Sequence, residues 1–118
     1  MQKFNFEKLD VYQKATRFID RVFEVTERLP GQVQFSLGEQ LRRAALSIAN
    51  NIAEGSGRLG KGEKSQFFRI ARSSGFECIP CLEILNKRRH ISDAEFDLLY
   101  DDCFQISKML SKLISSVH

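Results

Sequence analysis

At 118 residues the chain has the length of one compact domain and too little for two ordinary ones. Its 42% hydrophobic and 28% charged content is that of a folded globular protein and excludes a disordered one. No apolar run approaches the roughly 20 residues that span a bilayer. The opening MQKFNFEKLD also lacks the apolar core of a signal peptide, so a cytoplasmic protein with no membrane partner is expected.

The formal charge of +3 is unevenly spread. Residues 61–91 carry seven Lys and Arg against three Asp and Glu, whereas residues 92–118 carry two against five. A basic middle and an acidic tail suit either an anionic partner or the pairing of unlike faces between subunits. Three cysteines in a chain with no export signal read as reduced, buried thiols rather than a disulfide frame.

Four segments show helical periodicity and none shows sustained alternation. The first spans about 9–29, with Tyr12, Ala15, Ile19, Val22, Thr26 and Leu29 on one stripe and Leu29-Pro30-Gly31 as its stop. The second spans about 37–54, and Ser36 with Glu39 has the spacing of a reciprocal capping box at its start. The third spans about 62–89 with the stripe Phe67, Ile70, Ala71, Ser74, Cys78, Cys81, Leu82 and Leu85. Pro80 lies inside it, which predicts a kink or an interruption. The fourth spans about 93–116, opening on a second capping box at Ser92 and Glu95. Its stripe is Phe96, Leu99, Cys103, Ile106, Leu110, Leu113 and Val117. Four helices with short connections predict a single all-α domain over residues 1–118, an antiparallel up-down four-helix bundle whose aromatic core is supplied by Phe.

Between the second and third segments, GSGRLGKG (55–62) matches a dinucleotide-loop pattern and most of a phosphate-loop pattern. Such loops need a strand before them and, in the second case, a hydroxyl residue after the lysine. Here the helical stretch ALSIANNIAE precedes the glycines and Gly62 follows Lys61. Gly55 is therefore expected as the left-handed cap of the second helix, leaving Arg58, Lys61 and Lys64 beside the next helix start as a low-specificity anion site.

The stretch QLRRAALSIANNIAEG is more unusual. Gln40, Arg43, Ser47, Asn51 and Glu54 recur at helical spacing, in types that suit a hydrogen-bond network at an oligomer interface as well as a solvated face. The same residues carry a resemblance. QLRRAALSIANNIAEGSGR resembles the signature of the four-helix proteins first noticed as products of intervening sequences in 23S ribosomal RNA genes, the S23-like family. FEKLDVYQKATRF, GEKSQFFRIARSSGFE and SKMLSKLI resemble its other helices, so nearly the whole chain is covered. The chain departs from the family pattern at Ala49, where Pro is usual, and at Cys78-Ile79-Pro80-Cys81, where aliphatic residues are usual.

The resemblance implies a four-helix protomer that forms a homopentameric ring. The similar accessory variability protein of diversity-generating retroelements is a basic-surfaced pentamer that binds a reverse transcriptase and nucleic acid. Nucleic acid, RNA or DNA, or a protein that processes it, is thus an expected partner beside the chain itself. The cations that could serve it are Arg42, Arg58, Lys61, Lys64, Arg69, Arg72, Lys87, Arg88 and Arg89.

Other chemistry is weakly signalled. Cys78 and Cys81 lie inside a helical segment rather than at the helix start that a redox pair needs. Zinc wants four ligands, and only Cys103, His90 and His118 remain to complete a set. Neither histidine has triad spacing, so no enzyme activity, cofactor or metal is expected. The cations Lys87, Arg88 and Arg89 also suit a helix C-terminus with no ligand at all. A purely structural protein-interaction module is the competing expectation.

Overall fold

The computed structural model describes residues 1–117; His118 lies outside the described residues. Among those described there is no strand. After a 3-10 turn at Asn5–Lys8 come four long helical elements. Helix α1 is Asp10–Glu27. Helix α2 (residues 31–56) begins as Gly31–Val33, passes through a π-helical turn at Gln34–Gly38 and continues as Glu39–Ser56. Helix α3 is Lys61–Lys87 and α4 is Asp93–Ser116.

Each helix touches two others and not the third: α1 meets α2 and α4, and α3 meets α2 and α4. Their buried stripes converge on one core in which Phe18, Leu41, Ile48, Ile52, Leu82, Leu85, Leu99 and Ile106 are wholly enclosed. Burying each such side chain contributes about 1.5–3 kcal/mol, so this convergence is what stabilises helices that would be marginal alone.

The start of α2 differs from the sequence expectation. Pro30 ends α1 and then serves as the extended residue from which α2 departs, accepting a hydrogen bond from Gln34 N–H at 2.8 Å. Ser36 consequently lies inside a running helix, where its hydroxyl donates to Gln32 O at 2.8 Å and caps nothing. The π turn brings Gly38 against the connection that follows α1: a Cβ there would sit 3.2 Å from Leu29 Cδ1.

Helix α3 runs without interruption through Pro80. Pro80 and Phe76, whose carbonyl loses its usual donor, are both exposed, so water can satisfy that carbonyl. The predicted stripe is corrected at its first turns. Phe68 is buried, Phe67 is only half-buried, and Ile70 is exposed.

Gly55 is likewise not a left-handed cap. It lies inside α2, buried, and no glycine has positive φ; the helix ends at Gly57 with φ −84°. The reason is steric: a Cβ on Gly55 would sit 2.8 Å from Phe68 Cε1 and 3.0 Å from Phe67 Cβ. The glycine is the slot into which α3 packs.

The one positive-φ non-glycine residue among those described is Arg89, with φ 63°. His90 N–H donates to Leu85 O at 2.8 Å and Arg89 N–H to Asn86 O at 3.0 Å, the paired bonds of a Schellman cap. Three residues later the predicted capping box is present. Glu95 N–H donates to Ser92 Oγ at 3.1 Å, and Ser92 N–H donates to Glu95 Oε1 at 2.9 Å.

Candidate nucleic-acid and assembly surfaces

The polar stripe of α2 divides in two. Ser47 and Asn51 turn towards α3, while Gln40, Arg43 and Glu54 are exposed. The Ser47 and Ser74 hydroxyls lie 2.7 Å apart, Asn51 Nδ2 donates to Ser47 O at 2.8 Å and to its Oγ at 3.1 Å, and Ser74 Oγ donates to Ile70 O at 3.0 Å. Read in one direction, protons run from Asn51 through Ser47 and Ser74 to a backbone carbonyl. Such a chain gives each hydroxyl a partner and favours one register of the two helices. The buried Ala44, Ala45 and Ala49 permit the close approach it requires. On the exposed side Arg43 pairs with Glu39 at 2.8 Å, and Glu54 pairs with Arg58 at 3.1 Å.

Several of the nine candidate cations are engaged within the chain. Arg42 Nη2 donates to Gln34 O at 3.1 Å, at the π turn. Arg58 lies between Glu54 and Glu63 and over the Phe67 ring, 4.9 Å from its centroid. Lys64 Nζ donates to Gly55 O and Ser56 O, each at 3.1 Å, and so closes the carbonyl end of α2. Arg72 Nη1 donates to Ser111 Oγ at 3.0 Å, and Arg89 Nη1 reaches Asp93 Oδ1 at 3.5 Å. Lys61, Arg69, Lys87 and Arg88 are exposed and, among the described residues, have no salt bridge.

These four do not form one cluster. At about 1.5 Å per residue, Lys61 and Lys87 stand roughly 40 Å apart along α3.

The glycine-rich connector holds no phosphate-loop geometry. A helix precedes it, Gly57 has φ −84° and ψ −7°, and Lys61 opens α3 from an exposed position.

Sequence reasoning missed an aromatic groove. Phe76 and Ile79 on α3 face Tyr100, Cys103 and Phe104 on α4 around a cleft of about 200 Å³. Phe76, Phe104 and Tyr100 are 55%, 53% and 42% exposed. The aromatic part of the core is supplied by Phe18 and Phe68, as expected, whereas Phe4 and Phe35 are also exposed, at 73% and 77%. The sequence signal was available: Phe76 and Phe104 lie beside their helices' stripes rather than on them.

Cys103 lines this groove, and Cys78, Cys81 and Cys103 are buried free thiols, with Cys78 Sγ donating to Ser74 O at 3.5 Å. A hydrogen bond with Cys103, and then burial, push the Cys78 thiol far up; burial pushes up Cys81. A thiol raised in this way stays protonated at neutral pH and is a poor nucleophile. Among the described residues no three His, Cys, Asp or Glu side chains are grouped to hold a metal ion. No helix is long and apolar enough to cross a membrane.

A second unpredicted feature is Asp102, 4% exposed on α4, whose carboxylate meets Arg21 Nη1 at 2.8 Å and Lys14 Nζ at 3.5 Å on α1. Its spacing, three residues after Leu99 and four before Ile106, puts it on the inward side of α4, and the packing of α1 supplies the cations.

Four packed helices, an exposed aromatic groove and scattered free cations describe an all-helical protein. Residues 7–112 match the profile of the 23S rRNA-intervening sequence protein, and the chain belongs to that family. Among solved structures it is similar to a protein with unknown function from the S23 ribosomal protein family of Bacteroides thetaiotaomicron VPI-5482. The TM-score is 0.83 at 24% identity, over 89% of this chain and 95% of that chain, a likeness of fold. No curated protein matches the sequence.

Proposed function

We propose that the chain is a non-enzymatic scaffold or adaptor of the cytoplasm that self-assembles and presents cations to nucleic acid or to a nucleic-acid-processing protein. The helices alternate in direction as an up-down bundle, a reading supported by the short connections at residues 28–30, 57–60 and 88–92. The observation that carries the function is the set of exposed cations Lys61, Arg69, Lys87 and Arg88 without salt bridges among the described residues. Four cations spread over roughly 40 Å make a weak contact in one copy. Repetition around an assembly multiplies it through effective concentration. Assembly itself is supported by the aromatic groove at Phe76, Tyr100 and Phe104, an apolar surface that gains by being covered. The number of five subunits follows the family resemblance.

Retention of RNA or DNA by the purified protein between 50 and 500 mM salt tests the first part. Four phosphate contacts give a log–log slope of about −3, hence a loss of roughly a thousandfold over that range. No retention at 50 mM salt, or retention indifferent to salt, rules out the electrostatic reading. In that event the second reading stands, a protein-interaction module without nucleic acid. It is favoured by the internal engagement of Arg42, Arg58, Lys64, Arg72 and Arg89. Light scattering at micromolar concentration tests assembly, and a monomer alone contradicts both readings.

A further inference from the structure

At one end of the molecule the 3-10 turn, the last turn of α2, the first turns of α3 and the last turns of α4 enclose a cleft of about 280 Å³. Its wall is apolar, made by Phe6, Leu9, Phe68 and Leu113. Four polar residues line the same space, Asn5, Ser56, Lys64 and Ser116, and the Ser116 hydroxyl is already spent on Leu113 O at 2.7 Å. The Ser56 hydroxyl is buried and has no partner. Buried hydroxyls are nearly always satisfied, so an orphan lining a cleft points to an occupant that accepts a hydrogen bond. The Lys64 ammonium spends two of its three N–H groups on Gly55 O and Ser56 O, each at 3.1 Å, and keeps one. No carboxylate pairs with it among the described residues.

From this juxtaposition we infer a binding site for a small amphiphilic carboxylate, its head on Lys64 and Ser56 and its apolar body against Phe6, Leu9, Phe68 and Leu113. The positive charge selects an anion, and the unpartnered Ser56 hydroxyl beside it suits the second oxygen of a carboxylate. The size is near the lower end of small-molecule pockets. Filled at protein packing density of about 0.74, the cleft takes roughly a dozen non-hydrogen atoms, the size of a ten-carbon fatty acid. The site is on different residues from the aromatic groove and does not depend on assembly or nucleic acid.

Decanoate, titrated into the full chain below its micellar concentration and followed by calorimetry and amide NMR, is the test. One saturable site is expected, with shifts centred on Ser56, Lys64, Phe68 and Leu113 and no competition from decanol. Ser56→Ala removes a hydroxyl that bonds to nothing, so it should leave the melting temperature unchanged and weaken decanoate about tenfold. Lys64→Met should weaken it further, and Lys64→Arg, which keeps both carbonyl bonds, should restore part of the affinity. Absence of saturable binding, equal binding by Ser56→Ala, competition by decanol, or shifts centred on Phe76 and Phe104 would each overturn the assignment.

Discussion

The α-carbon of Gly55 faces the Phe68 ring so closely that a methyl group there would meet Cε1 at 2.8 Å. Alanine in a helix interior is ordinarily favoured over glycine by about 1 kcal/mol. Here the ring is 2% exposed and cannot withdraw, so overpacking at about 1–3 kcal/mol outweighs propensity. Gly55→Ala should lower the melting temperature. Gly75→Ala should raise it, because its new Cβ meets only Ile48 Cδ1 at 3.8 Å. Thermal unfolding of the two variants checks the opposite signs.

At the end of α3, Arg89 takes a left-handed conformation that costs an L-residue about 1 kcal/mol and glycine almost nothing. Arg89→Gly should therefore stabilise the protein by about 1 kcal/mol in urea titration, even though it removes the contact with Asp93 at 3.5 Å. That contact is exposed on both sides and contributes little. A loss of stability would show that the arginine side chain matters more than its backbone.

Asp102 joins α4 to α1 through Arg21 and Lys14. Its carboxylate is buried while Arg21 is 40% exposed, so solvent screening reduces the pair to an expected coupling of about 1 kcal/mol. A double-mutant cycle of Asp102→Ala and Arg21→Ala measures it. Additive effects would mean that the two side chains are neighbours without net attraction.

The α4 capping box carries a pH signature. The Ser92 backbone N–H, and more weakly Arg28, hold Glu95 below the ordinary carboxylate range despite some opposing burial. A carboxylate whose pKa falls on folding contributes stability that is complete above its unfolded value of about 4.3 and lost as pH drops through the folded value. Glu95→Gln should thus be less stable than the parent at pH 7, with the gap closing between about pH 5 and the folded value. Ser92→Ala should cost about 1 kcal/mol at neutral pH. Urea midpoints across pH 2–7 follow both effects.

Local pattern was enough for the helical character of all four segments, for the cap at Ser92 and Glu95, and for most of the α4 stripe, where Leu99, Cys103, Ile106 and Leu110 are buried as periodicity requires. These features depend on residues within one or two turns of each other. Tertiary structure decided the rest. The same spacing admits Phe67 or Phe68 as the core residue of α3, and the space left by Gly55 on another helix selects Phe68. Ser36 and Glu39 spell a cap, yet a helix already begun at Gly31 leaves nothing there to cap. The aromatics Phe76, Tyr100 and Phe104 are apolar enough for a core, but no helix of this chain covers them. The free cations and the cleft beside Lys64 were settled in the same way. A sequence displays which side chains could be buried or paired; which ones are depends on the neighbouring helix that arrives.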